Sequence, residues 1–236
     1  MLISEFLTEK LRTMKRLIIA ILGLTIVILS GCEKPTVTGD VSEIMYYVSL
    51  NLDGSELMTL PVGTPYEEPG YTAKEGDNDV TEQVVVTGTV DHTKLGYNPI
   101  TYSAENSEGF PNSVTRHVFV VDPSKSIAEG TYDGLLEARG GGPVTISKVA
   151  DGLYYCNDLF GGYYNVYRGY GSAYVARGYI LPESDNSVVI TNVSSVWGAI
   201  EGENEQLMPD GKLVYNMYFL SDGYNWGGLT FQLTPQ

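Results

Sequence analysis

The 236-residue sequence predicts an all-β protein. Three observations carry that prediction: 27 glycines and 18 tyrosines, no long Ala/Leu/Glu/Lys-rich stretch after the first 31 residues, and short β-prone runs separated by turn residues. Single cores usually close at roughly 100 to 150 residues, so the chain has room for two modest domains.

The first segment belongs to neither domain. Met14-Lys15-Arg16 precedes a nearly unbroken apolar stretch from Leu17 to Leu29, which closes in Leu29-Ser30-Gly31-Cys32. Charge, then a short apolar run, then small residues is the order of a secretory signal, and the run is too short to span a bilayer comfortably. Residues 1–31 are therefore expected to be a signal peptide. Met14 is the expected true start, because Glu5 and Glu9 place negative charge where signals prefer positive. Leu29-Ser30-Gly31-Cys32 resembles the bacterial lipobox. The resemblance implies lipidation of Cys32 and, with several acyl chains at about 0.8 kcal/mol per buried CH₂, a firm anchor in the membrane. Residues 32–42, polar and containing Pro35 and Gly39, follow as a lipidated tether.

Residues 43–122 hold β-prone runs at Ile44 to Leu52, Thr81 to Val90, Ile100 to Ala104 and Val114 to Val121, at the spacing of a β-sandwich. Val62-Gly63-Thr64-Pro65-Tyr66-Glu67-Glu68-Pro69-Gly70-Tyr71-Thr72-Ala73 opens a pattern that continues through Asp79-Val80-Thr81, Val86 to Asp91, Gly96 to Ala104 and Arg116 to Asp122. In order and spacing these pieces resemble the immunoglobulin-like repeats of bacterial surface proteins. That resemblance implies an immunoglobulin-like sandwich acting as a spacer or adhesion unit, and it says little about chemistry.

Pro123-Ser124-Lys125-Ser126 reads as a linker, and residues 127–236 as a second domain. Its runs are Gly130 to Ala138, Val144 to Val149, Leu153 to Asn157, Tyr163 to Tyr167, Tyr174 to Leu181, Ser187 to Val193, Lys212 to Leu220 and Gly227 to Leu233. Turn signals at Asp151-Gly152, Pro209-Asp210-Gly211 and Asp222-Gly223 make sequential neighbours antiparallel. An antiparallel β-barrel of lipocalin-like kind, or a sandwich of similar size, satisfies this while protecting strand edges. The whole arrangement is similar to lipoproteins of unknown function encoded in the polysaccharide-utilisation loci of gut Bacteroidetes. The similarity implies an outer-membrane location, a glycan ligand and a TonB-dependent transporter complex as partner. The acidic run expected there for surface export is reduced to Glu33 before Lys34, which leaves both the cell surface and the periplasmic face open.

The formal charge of −15 becomes about two units more negative once a leader with four Lys/Arg and two Glu is removed. Such a surface repels phosphate backbones, so no nucleic-acid partner is expected. Only Cys32 and Cys156 are present; with the first lipidated no intrachain disulfide can form, and Cys156 reads as a small buried hydrophobe in a strand. His92 and His117 are the only histidines, and His-Glu-x-x-His, paired-cysteine and Gly-x-Ser-x-Gly patterns are missing. No carboxylate pair stands out as a hydrolytic dyad. A noncatalytic protein without cofactor or metal is the expectation. Gly140-Gly141-Gly142-Pro143 lacks a following Gly-Lys-Ser/Thr and reads as a turn. Asp77-Asn78-Asp79 and Glu201-Gly202-Glu203-Asn204-Glu205 lack calcium-loop spacing and read as solvated acidic loops.

The most informative cluster runs from Phe160 to Tyr174. Tyrosine offers an apolar ring and a polar tip at low rotamer entropy, and sugar rings offer apolar faces with hydroxyl rims. Tyr163, Tyr164, Tyr167, Arg168, Tyr170, Trp197, Tyr224 and Trp226 are the candidate ligand-binding residues. The structural alternative places these rings in core and edge packing: in a strand, Tyr163, Asn165 and Tyr167 share one face, Tyr164 and Val166 the other. The leading function is an anchored lipoprotein binding an extracellular glycan. Its rivals are a lipocalin-like carrier of a small apolar ligand and a structural role as adhesin subunit or transporter partner.

Overall fold

The computed structural model describes residues 44–220 and 228–236. The signal peptide, Cys32 and the tether lie outside the described residues, as do Tyr224 and Trp226. The protein is all-β, with an immunoglobulin-like sandwich followed by a closed antiparallel barrel.

The sandwich pairs two sheets. One joins β1 (Val48–Leu52), β3 (Tyr71–Glu75) and β4 (Asn78–Asp79) in the order β1-β3-β4. The other joins β2 (Leu57–Pro61), β5 (Val85–Thr87), β6 (Gly96–Glu105) and β7 (Pro111–Val121) in the order β2-β7-β6-β5. β2 runs parallel to β7, with Leu57 beside His117, whereas β6 and β7 form a long hairpin. Alternation along β6 sends Ile100, Tyr102 and Ala104 inward, as period 2 requires of a sheet with one wet face. Of Asp77-Asn78-Asp79, expected as an acidic loop, Asp77 lies in a turn and Asn78–Asp79 form the short strand β4 beside β3.

An arginine sits fully buried in this sandwich. Arg116 donates to the carbonyls of Ser55 (2.7 Å), Asp53 (3.0 Å) and Gly70 (2.9 Å), and to Glu68 Oε1 (3.1 Å). Glu68 also accepts hydrogen bonds from the hydroxyls of Tyr66 and Tyr102. Burial pushes the Glu68 carboxyl up, but those hydroxyls, the Gly70 amide and Arg116 together hold it below its ordinary value. The guanidinium thus reinforces the tie between the β1–β2 turn and the segment entering β3, where the β1–β3 ladder ends at Leu52 and Tyr71 and the Asp53 amide donates to the Gly70 carbonyl at 3.0 Å.

The barrel is a complete up-and-down meander. Its strands are β8 (Gly130–Leu136), β9 (Pro143–Ala150), β10 (Leu153–Cys156), β11 (Arg177–Ser184), β12 (Ser187–Ser194), β13 (Ile200–Leu207), β14 (Leu213–Phe219) and β15 (Leu229–Pro235). Each pairs with its sequence neighbour, and β15 closes on β8, leaving no free edge. Leu213, Tyr215 and Met217 of β14 alternate inward, as do Val144 and Ile146 of β9. The weakest seam lies between β12 and β13, where Ser187 and Gln206 form the one ladder pair and Glu205 Oε1 accepts the Ile190 amide at 3.4 Å.

Two expected elements are corrected. Tyr163 to Tyr167, expected as a strand, forms a single π-helical turn. Glu201 to Glu205, expected as a loop, lies within β13. Closure explains the second case: β14 has a partner on only one side without it, and its outward positions are free to be acidic.

The two domains share an apolar seam. Phe119 and Val121 of β7 pack with Leu153 and Leu181 of the barrel wall, joined by Tyr97, Tyr179 and Val189. The Phe119 and Tyr179 ring centroids lie 4.6 Å apart. Lys125 reaches Asp185 at 2.8 Å across the joint, an exposed pair that adds little.

Substituting Arg116→Ala is expected to leave Glu68 without its counter-charge and the Asp53 and Ser55 carbonyls without their donor, and to lower stability by about 3 kcal/mol. Urea unfolding followed by tyrosine fluorescence measures it; a change below about 0.5 kcal/mol would show that the network is not what holds the sandwich.

Candidate functional site

The barrel has two unlike ends. The linker enters beside the tight connections β9–β10, β11–β12 and β13–β14, while the opposite end carries the connections 137–142, 157–176 and 195–199. Segment 157–176 is long and caps that end from within. Leu159 and Phe160 are fully buried, and the Leu159 carbonyl accepts the Tyr215 hydroxyl at 2.7 Å. Phe160 is ringed by Tyr164 (5.2 Å between centroids), Trp197 (5.3 Å), Phe219 (5.6 Å) and Phe231 (5.6 Å).

After Phe160 the chain turns through Gly161 and Gly162, whose φ values of 60° and 69° lie in the left-handed region that favours glycine. Here backbone rests on backbone. A Cβ on Gly134 would stand 2.4 Å from Gly161 Cα, and one on Gly162 would stand 2.8 Å from Gly142 Cα. Gly142 donates its amide to the Gly161 carbonyl at 2.9 Å. Gly140-Gly141-Gly142 is therefore a seat for the capping segment as well as a turn.

The π-helical turn closes with the Arg168 amide on the Tyr163 carbonyl (2.8 Å) and throws its rings onto the cap. Tyr163 is buried and stacks on Tyr167 at 5.6 Å; Tyr164 is half-buried and packs on Trp197 at 4.5 Å. Tyr170 lies 6.2 Å from Tyr164 and 5.4 Å from Tyr174, which in turn meets Trp197 at 5.5 Å. Arg168 sits 5.7 Å over the Tyr170 ring and donates to its hydroxyl at 3.3 Å.

Six of the candidates thus come together: Tyr163, Tyr164, Tyr167, Arg168, Tyr170 and Trp197 form one contiguous surface. Tyr163 faces largely inward and serves the core. Tyr224 and Trp226 belong to the β14–β15 connection and lie outside the described residues. Sequence reasoning passed over Arg139, Phe219 and the role of Tyr174, whose spacing carries no signal of proximity. Cys156 is buried in β10 beside this core, and burial pushes its thiol up to about 12.

The fold and this ring-lined end define a class: an immunoglobulin-like module of the bacterial surface-protein type, matched over residues 50–120, in front of an eight-stranded barrel domain. The family model for the BT2262-like C-terminal domain matches residues 121–234. The crystal structure of the lipoprotein BT2262 from Bacteroides thetaiotaomicron is 30% identical, over 79% of this chain and 98% of that one, with a TM-score of 0.38. On that identity and coverage, the chain belongs to the BT2262-like lipoprotein family. A structure of CBM51-2 in complex with GlcNAc and INT domains from Clostridium perfringens ZmpB shares 12% identity over 79% of this chain and 43% of that one, with a TM-score of 0.26. Likeness of that degree says nothing about a ligand. Among proteins of curated function, none matches the chain.

Asp158 holds both ends of the capping segment. Its Oδ1 accepts the amides of Phe160 (3.0 Å) and Ala176 (3.2 Å), while Oδ2 is buried with no partner among the described residues. Burial pushes the carboxyl up to about 6, against the opposing pull of those amides. The folded protein therefore binds this proton more tightly than the unfolded chain, whose value stays near 3.8. The resulting stability is full below the unfolded value and is lost as pH rises through about 6. The thermal midpoint is expected to rise between pH 7.5 and 5, and Asp158→Asn to flatten most of that rise. Glu205, also raised by burial, acts in the same direction. Calorimetric scans of both proteins across the range check this, and an unchanged slope in the variant would refute it.

Proposed function

We propose that the protein is a noncatalytic lipoprotein of the outer membrane, anchored through Cys32, whose barrel binds an extracellular glycan at its aromatic end for a polysaccharide-uptake system. One observation carries the ligand reading. Among the described residues of the barrel, the exposed large apolar side chains are Val149, Val166, Tyr167, Tyr170, Tyr174, Val196, Met208 and Leu220, and all but Val149 and Met208 lie at the capped end. Exposed rings concentrated on one surface, with Arg168 and the half-buried Asn165 among them, suit the apolar faces and hydroxyl rims of sugars. A TonB-dependent transporter is the partner such a protein would serve.

The lipocalin-like alternative needs an interior cavity of several hundred Å³. The described interior is instead filled by Tyr132, Tyr154, Tyr215, Phe160 and Phe231, with Leu159 inserted from above. That packing favours an outer surface over an enclosed site.

Isothermal titration of the mature protein against host and plant polysaccharides is expected to find at least one ligand. Tyr167→Ala and Tyr170→Ala, at exposed rings, should each weaken it about tenfold, which corresponds to roughly 1.4 kcal/mol. Heat from none of the panel would remove the glycan reading. The anchor is tested separately: Cys32→Ser should move the protein from the membrane fraction to the soluble fraction, and retention in the membrane would overturn lipidation.

A further inference from the structure

We infer that the ligand of the aromatic end is an acidic glycan, one bearing carboxylate or sulfate groups, with Arg168 as the residue that reads the charge and Arg139 beside it. This rests on the glycan reading above and narrows it.

The charge distribution points there. The chain carries −15 overall, yet from Leu159 to Pro182 it contains Arg168 and Arg177 and no Asp or Glu. Among the described residues, Asp158 at its base is buried beneath the surface, and Glu137 in the 137–142 connection is paired with Arg139. Arg139 approaches from the β8–β9 connection, where Gly140 is so close that an added Cβ would lie 2.6 Å from the Tyr167 ring. Arg139 and Arg168 both act on the same hydroxyl: burial pushes the Tyr164 phenol up, and the two guanidinium groups oppose it.

The two arginines are differently engaged. Arg139 spends its Nε on Glu137 at 3.0 Å, and among the described residues Arg168 forms no ion pair. Arg168 is exposed, and its observed partners are the Tyr170 hydroxyl and ring. The contacts with the Tyr170 ring and hydroxyl hold the guanidinium in place and cost it none of its charge, leaving its remaining donors presented beside a ring surface. That is the geometry for an anionic group on a sugar whose face lies on the neighbouring tyrosines. A neutral glycan offers those donors hydroxyl acceptors alone, whereas an anionic group offers a charge-matched one, roughly twice as strong. Elsewhere the acidic surface repels polyanions, so binding is confined to this end.

The test compares charged and uncharged twins of the same backbone: polygalacturonate against its fully methyl-esterified form, and dextran sulfate against dextran, each titrated into the mature protein at low and high salt. The two pairs separate carboxylate from sulfate. At least one charged member should bind tenfold or more tightly than its twin, and added salt should narrow the gap. Arg168→Gln should close most of it while leaving the thermal midpoint unchanged. Poly-glutamate, an acidic chain without sugar rings, should bind at least tenfold more weakly than the preferred glycan. Neutral twins binding as well as charged ones, a gap that survives Arg168→Gln, or poly-glutamate binding equally well would each overturn the inference and leave the glycan reading standing. No binding to any glycan would remove both.

Discussion

Phe160 is the residue on which the capped end of the barrel depends. An eight-stranded barrel has an interior just wide enough for side chains to fill, and at its open end the strands alone run out of them. Phe160 supplies the missing volume from a connection rather than a strand, entering among Phe219, Phe231, Trp197 and Tyr164. Full burial of such a ring contributes about 1.5–3 kcal/mol. The same contact fixes the start of segment 157–176, so core completion and placement of the outer rings are one event. Glycine makes the approach possible, because Gly134, Gly141, Gly161 and Gly162 let backbones touch where any side chain would force them apart.

Asp158 adds an electrostatic clamp of unusual kind. A buried carboxylate with one unpartnered oxygen costs stability at neutral pH, and an apolar residue there would avoid that cost. No apolar residue, however, can accept the Phe160 and Ala176 amides that would otherwise be buried and unpaired at the two ends of the segment. The Leu159 amide meets the Ala176 carbonyl at 2.7 Å in the same place, so the loop is pinched shut at its base. Above the pinch Tyr170 and Tyr174 rest on Tyr164 and Trp197, which lets them be exposed and still positioned.

Much of the fold was legible in the sequence, and where it was not the reasons are physical. Strands with one wet face and one dry face declare themselves by alternation, which is why β6, β9, β12 and β14 were readable from their runs. Residues 163–167 misled because tyrosine and valine favour strands, whereas two left-handed glycines just before them and tertiary packing impose a helical turn. β13 was hidden by its glutamates: its strand character comes from pairing with β14, and local propensity opposes it. The tyrosine cluster was visible as composition, and its partition into the buried Tyr163 and exposed Tyr167 and Tyr170 was not. Arg139 shows the limit most clearly, since it lies 29 positions before Arg168 and only barrel closure brings both to Tyr164.

The seam between the domains gives that end a direction. Phe119, Val121 and Tyr97 meet the barrel wall at Leu153, Tyr179 and Leu181, an apolar contact continuous with the core of neither domain. A joint held only by residues 123–126 would let the barrel swing; one held by packed rings on either side of it resists. The linker enters at the end of the tight hairpins, where a Cβ on Gly152 would stand 2.5 Å from the Asp122 carbonyl. The capped end is therefore the one the immunoglobulin-like module leaves uncovered. A surface that is to bind a soluble polymer, as proposed for this end, must be both ordered and unobstructed. Here order comes from the plug beneath the rings and access from the module's attachment at the other end of the same strands.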